Sequence, residues 1–160
     1  MSGFQAYVNL YNPIAIAGDW ATLNPRRFYP TVGEALVTGS NGATVARFGW
    51  VTSGTTVDNT GSGVPDGIIP REQGSALITT YLGESSNLIP AGFAVDLAQS
   101  GDLWMTATVA GATVGQKAFA KLSDGTMQPA NAGATVSGFI ETAFVIRSAC
   151  DTGELCIISL

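Results

Sequence analysis

The sequence contains no histidine, the side chain that most often serves as a general base and as a metal ligand. Ser-His-Asp and Cys-His catalysis are therefore excluded, and a zinc site would need more ligands than the two cysteines supply. An enzyme built on this sequence would have to rely on carboxylates, lysine, tyrosine or a Ser-Lys pair. We expect no metal, no cofactor and no catalytic residue.

Charged residues are also scarce, at 12% of the 160 residues, against about 25% in an ordinary globular chain. The net charge is −5 and the lysines are Lys117 and Lys121, so no clustered basic face is available for nucleic acid or anionic lipid. A free monomer keeps itself dispersed with interspersed charge. A surface this poor in charge predicts that part of the chain is normally covered by another protein.

Long apolar runs are missing too, because no segment approaches the ~18 residues that a membrane span needs. The N-terminus has no basic residue before Arg26, so we expect no signal peptide and folding in a cytoplasm. Cys150 and Cys156 flank the segment DTGEL, and a hairpin with its loop at Thr152–Glu154 would set them opposite each other. Two interpretations stay open: a disulfide in an oxidising medium, or two small buried apolar residues, which is the favoured one.

The sequence does contain many short apolar runs, rich in Val, Thr, Ile and aromatic residues and separated by turn signals such as SNGA at 40–43 and SDGT at 123–126. Turns at intervals of about 8–12 residues are typical of a β-sandwich or barrel. EQGSALITTYLGESS has some helical character, but its β-branched run Ile78–Thr80 favours a strand. The predicted strands are GEALVTG, TVARFGWVT, GIIPRE, ALITTYLG, FAVDLA, DLWMTATV, KAFAKLS, ATVSGFIETAFVIRSA and ELCIISL. We predict an all-β fold.

Residues 1–30 differ from the rest, with three prolines, the pair Arg26-Arg27 and little alternation. Each proline biases the preceding residue towards an extended conformation. The pattern predicts an extended N-terminal arm over 1–30 and a single β domain over 31–160. The residues leave open whether the arm packs on its own domain or reaches a neighbouring subunit.

The densest polar cluster is Arg71-Glu72-Gln73, in the segment PREQGSALITTYLGE. On a strand, Arg71 and Gln73 point to one face and Glu72 to the other, so the three cannot converge on one reacting atom without a bulge. An arginine held by a carboxylate commonly fixes the register between elements or subunits. We interpret the cluster as a polar anchor whose partner lies either within the chain or across a subunit boundary.

Carboxylates are the other candidate catalysts, because two of them at a set separation suffice for glycoside hydrolysis. Asp19, Asp102 and Glu141 lie near aromatic residues that could line a sugar site. Most of the other acids lie in predicted turns, where Asp bonds to its own backbone or faces water. The residues therefore disfavour hydrolysis, and we expect the protein not to be an enzyme.

Several motifs resemble, in the same order, those of the capsid decoration proteins of tailed phages, also called structural cement proteins. GDWATLNPR at 18–26 is similar to that family's Gly-Asp-[aromatic]-Ala and Asn-Pro-Arg segment, and GATVARFGWV at 42–51 to its Val-x-Arg-Phe-x-Trp strand. The other matching pieces are PREQGSALIT, IPAG, SGDLWM, ATVGQKAFA, GFIETAFVI and GELCIIS. Each piece alone is weak, but their shared order over nearly the whole chain makes the resemblance specific.

The resemblance implies a jelly-roll-like β domain on the outer surface of an icosahedral head, where it would staple subunits of the major capsid protein. The implied partners are the major capsid protein and a second copy of the chain, as a dimer across a two-fold axis or, alternatively, a trimer. Arginine and aromatic side chains are common at interface hot spots. The candidate interface residues are Trp20, Asn24, Arg26, Arg27, Phe28, Tyr29, Trp50, Arg71, Glu72 and Gln73. The alternative function is a carbohydrate-binding β-sandwich module using Trp20, Trp50 or Trp104.

Overall fold

The computed structural model describes residues 14–31, 33–71 and 87–160. These residues form thirteen β-strands and no α-helix, which confirms the all-β prediction, whereas the jelly-roll connectivity stays a prediction. No helix in the described ranges is long and apolar enough to cross a membrane. The strands are β1 Arg27–Phe28, β2 Val37–Thr38, β3 Ala43–Thr44, β4 Phe48–Ser53, β5 Thr56–Asp58, β6 Gly67–Ile68, β7 Leu88–Ile89, β8 Ala98–Ser100, β9 Asp102–Thr106, β10 Lys117–Lys121, β11 Met127–Ala130, β12 Phe139–Ile146 and β13 Leu155–Ser159.

A five-stranded antiparallel sheet forms the C-terminal half of the fold, in the order β11-β10-β12-β13-β9. The β10–β11 turn is fixed by Asp124, whose Oδ1 accepts hydrogen bonds from Thr126 N at 3.0 Å and Thr126 Oγ1 at 2.7 Å. Just beyond β9, Ala107 forms a parallel bridge with Met127 of β11. Because β9 and β11 are the two outer strands, this bridge brings the edges of the sheet together.

The predicted pairing of Cys150 with Cys156 across a hairpin ladder is wrong. The β12–β13 register places Ile146 opposite Ile158. If this register continues, Ser148 falls opposite Cys156, and Cys150 lies two positions farther along the chain. Cys150 instead bridges to Ala112, and Cys156 pairs with Met105. The two cysteines are free thiols.

A six-stranded sheet in the order β1-β8-β6-β4-β5-β2 forms the other half. It is antiparallel except for the parallel pair β2 and β5. Val37 of β2 also forms an isolated antiparallel bridge with Ala94, which lies in the segment before β8. A separate pair of strands, β3 and β7, is antiparallel.

The centre of the six-stranded sheet is buried on both faces and separates two hydrophobic cores. One face packs with the five-stranded sheet in the first core, and the other closes over a second core with β3 and β7. Period-2 alternation places adjacent residues on opposite faces, as seen for Ile68 in the first core and Ile69 in the second. The prediction ALITTYLG and its helical alternative lie outside the described residues.

Candidate interaction surface

Residues 18–29 lie along β9 and β8 of their own chain. Gly18 N donates to Trp104 O at 2.7 Å, Trp104 N donates to Asp19 O at 2.9 Å, and Ala21 N donates to Asp102 O at 2.8 Å. Farther along, β1 pairs with β8. The part of the predicted arm that the structure describes, residues 14–30, therefore includes a long segment paired with its own domain.

Asp102, at the start of β9, fixes the turn formed by residues 22–26. Its Oδ2 accepts hydrogen bonds from Thr22 Oγ1 at 2.5 Å and from Asn24 Nδ2 at 2.7 Å, and the residue is 9% exposed. A hydrogen bond from the Ser159 side chain and a second from Thr22 hold the pKa of Asp102 below its usual value, although burial acts in the opposite direction. The carboxylate is thus charged at neutral pH, and it holds Thr22 and Asn24 of the turn to the start of β9.

Trp20 and Arg26 also hold this turn, through a contact between their side chains. The Arg26 guanidinium carbon lies 4.3 Å from the centroid of the Trp20 ring, and Phe28 meets that ring edge-on at 5.8 Å between centroids. A Cβ on Gly101 would lie 2.7 Å from Trp20 Cζ3, so the glycine lets the indole lie against the main chain of the β8–β9 connection. Such cation–π and aromatic contacts each contribute about 0.5–1.5 kcal/mol.

Between these fixed points the turn exposes an apolar side chain. Leu23 is 97% exposed, and the neighbouring Arg27 and Asn24 are exposed as well. Ile14, at the start of the described chain, is 94% exposed. Sequence reasoning missed Leu23, for which the available signal was an isolated leucine between turn-forming residues in ATLNPR. It considered Asp102 only as a carboxylate that could line a sugar site, and not as an anchor of this turn.

Arg71 makes its contacts within the chain. Its main-chain N donates to Gly18 O at 2.8 Å, its Nη1 donates to Asn87 Oδ1 at 3.0 Å, and its Nε lies 4.0 Å from Asp19 Oδ1. The ion pair is partly exposed, and pairs of this kind contribute about 0–1 kcal/mol. Arg71 therefore connects Gly18, where the arm segment begins to pair with β9, to Asn87. Glu72 and Gln73 lie outside the described residues.

Trp50 belongs to the first core, with 4% of its surface exposed. Its Nε1 donates to Gly63 O at 3.0 Å, and its indole lies so close to Gly61 that a Cβ there would overlap the ring. A buried side chain cannot contact a partner, so Trp50 stabilises the fold of this chain. With Trp20 packed between Arg26 and Phe28, no pair of bare indole rings is available among the described tryptophans as a sugar platform.

Phe28 and Tyr29 lie at the rim of a mostly apolar groove of about 620 Å³. Phe93, which is half exposed, lines the same groove. Of the sequence-predicted interface residues, the structure brings Trp20, Arg26 and Phe28 into contact with one another and Asn24 into contact with Asp102. Arg27 and Tyr29 flank Phe28 in the chain, and Tyr29 packs on the second core. Arg71 contacts Gly18 and Asp19 at the start of the arm segment, and Trp50 is buried in the first core.

The fold is that of an all-β domain with several sheets in a sandwich-like arrangement. It is similar to a chain in the solved structure titled "The capsid of Myoviridae Phage XM1", with a TM-score of 0.67 and 20% sequence identity, over 99% of this chain and 97% of that chain. The family model of the XM1 gp53 minor capsid protein matches residues 4–160, and the chain therefore belongs to this family. It is a structural component of the phage virion. Comparison with curated proteins finds no match.

Proposed function

We propose that the protein decorates the outside of a tailed-phage head and cements neighbouring subunits of the major capsid protein. Membership of a minor capsid protein family supports the association with the capsid. The observation that carries the choice of contact surface is Leu23, an apolar side chain 97% exposed on a turn that Asp102 and Trp20 hold. Its exposure gives the folding of this chain no benefit, whereas burial in a partner would contribute about 1.5–3 kcal/mol.

The charges around Leu23 define the kind of capsid site that it fits. Arg26 and Arg27 are two of the seven cationic residues in a chain of net charge −5, and both are exposed within four positions of the leucine in the chain. An apolar centre with a charged rim is the common anatomy of protein interfaces. The complementary site would be an apolar pocket with acidic residues at its edge.

Cementing follows from multivalency. A protomer that contacts two capsid subunits, and that pairs with a second copy across a two-fold axis, makes each further contact intramolecular, so weak patches add up to tight attachment. A ligand that binds the mature lattice but not its disassembled subunits stabilises the lattice by mass action. This role requires no catalysis.

The contact surface is tested with Leu23→Asp, added to heads that were assembled without the protein. We expect the variant to keep its melting temperature, because Leu23 is exposed, and to lose at least tenfold in head binding measured by co-sedimentation. Val114→Asp is the matched control, since Val114 is 64% exposed and lies outside the surface; it should bind as the natural chain does. Unchanged binding by the Leu23 variant would contradict the assignment of the turn.

A further inference from the structure

Cys150 and Cys156 both pack in the first core, near the end of the five-stranded sheet. Cys156 is fully buried in the first core, where its Sγ lies 3.6 Å from Met105 O. Cys150 is partly buried and packs against the same core. The two thiols are therefore neighbours in that core although their main chains belong to different pairings.

The main chain around Cys150 is fixed by hydrogen bonds on both sides of the residue. Cys150 exchanges two hydrogen bonds with Ala112, at 2.8 and 3.1 Å. The following turn is closed by Glu154 N donating to Asp151 O at 3.1 Å, and by Asp151 N donating to Glu154 Oε2 at 3.2 Å. Because disulfides need a narrow range of Cα and Cβ separations, a fixed main chain around neighbouring cysteines favours closure.

The two thiols differ in their access to solvent. Cys150 lines an open surface pocket of about 580 Å³ together with Thr113, Asp151 and Glu154, whereas Cys156 has no exposed surface. Burial and the hydrogen bond with Cys150 raise the pKa of Cys156 to about 12. Since the thiolate is the reactive form, an oxidant in solution meets Cys150 first.

We propose that Cys150 and Cys156 form a dithiol that closes to an intramolecular disulfide when it meets a small, uncharged organic disulfide. Cys150 loses its proton to water, and its thiolate attacks one sulfur of the small disulfide, which forms a mixed disulfide and releases one thiol. Cys156 then gives up its proton and attacks the Cys150 sulfur, which releases the second thiol. The protein's two thiols are oxidised and the small disulfide is reduced to two thiols.

The surroundings of Cys150 indicate which oxidant this site accepts. Asp151 and Glu154 line the pocket, and their negative charges disfavour an anionic disulfide such as oxidised glutathione. An uncharged disulfide such as 2-hydroxyethyl disulfide meets no such repulsion. A virion leaves the reducing cytoplasm at lysis, and the medium outside is oxidising, so the thiol pair is suited to closing after release.

The test incubates the full-length, folded protein with 2-hydroxyethyl disulfide, quenches it with acid, and alkylates it with iodoacetamide after denaturation. We expect an intact mass that has lost the two thiol hydrogens and gained no alkyl group, a peptide that links Cys150 to Cys156, and full reversal by dithiothreitol. Oxidised glutathione should react at least fivefold more slowly at low salt. Two alkylated cysteines, or a disulfide between two copies, would overturn the proposal.

Two variants separate the roles of the cysteines. Cys156→Ser should accumulate the mixed disulfide on Cys150, because the second attack is lost. Cys150→Ser should leave Cys156 unmodified while the protein is folded. Rapid modification of Cys156 in the Cys150→Ser protein would contradict the proposed order, and the mass of the natural chain decides the central point even if a variant does not fold.

Discussion

Asp102 connects the sheet to the turn that presents Leu23. Its carboxylate accepts hydrogen bonds from Thr22 and Asn24, which lie about 80 positions earlier in the chain. Hydrogen bonds to a charged group contribute about 1.5–3 kcal/mol. We expect Asp102→Asn to lower the free energy of unfolding by about that amount, measured by urea denaturation at neutral pH, and Asp151→Asn in an exposed turn to change it little.

The pH dependence of this difference follows from the direction of the Asp102 pKa. The folded-state pKa lies below the ordinary value of 3.8, so the stabilisation is fully present above pH 3.8 and is lost as the pH falls through the lower folded value. The gap in stability between the natural chain and Asp102→Asn should therefore be constant from neutral pH down to about 5, and should shrink in more acidic solution. A gap that widens on acidification would contradict the role of the charged carboxylate.

At the scale of the elements, Gly49 shows how closely β4 packs on the second core. A Cβ at this position would lie 2.7 Å from Leu97 Cδ2 and 3.2 Å from Val57 Cγ1. Overpacking of a filled core costs about 1–3 kcal/mol, so Gly49→Ala should lower the melting temperature. Because the closest atom belongs to Leu97, the loss should be smaller in a Leu97→Val background, and additive effects in this double-mutant cycle would contradict the contact.

The longer strands were predictable from the sequence because their alternation or apolar content is strong. KAFAKLS contains β10, DLWMTATV contains β9, and ELCIISL contains β13. The short strands β1, β3, β5, β7 and β11 were missed, since two to four residues carry too little periodicity. Pro129 also hides β11, although a proline is tolerated on an outer strand such as this one.

The candidate surface was predictable in part. Aromatic and arginine residues in the arm were selected on chemical type, and three of them, Trp20, Arg26 and Phe28, do contact one another. Trp50 was selected on the same ground, but burial depends on contacts between distant segments that the sequence does not display. The role of Asp102 in holding the turn was not predicted for the same reason, because its partners Thr22 and Asn24 are far away in the chain.

At the scale of the whole molecule, the structure separates the parts that hold the fold from the parts that are free for a partner. Two cores on either side of the six-stranded sheet hold the buried apolar side chains. The arm segment lies along the β8–β9 edge and satisfies main-chain groups of β9. Covering an outer strand prevents it from pairing with other chains, so the arm segment closes β9 to main-chain pairing with a partner.

The cementing role predicts an effect on the whole head. Heads with and without the protein should differ in the temperature at which they release DNA, because a ligand selective for the intact lattice stabilises it in proportion to RT ln(1 + [L]/Kd). Titrating the natural chain onto bare heads should raise that temperature until the binding sites are filled, and the copy number at saturation should be a fixed ratio to the major capsid protein. Leu23→Asp, added at the same concentrations, should shift the curve to higher concentration while reaching the same plateau, because the variant occupies the same sites more weakly. A release temperature that does not respond to saturation by the natural chain would mean that the protein occupies the head without stabilising it, and the cementing role would be wrong even if Leu23 proved to be the point of attachment.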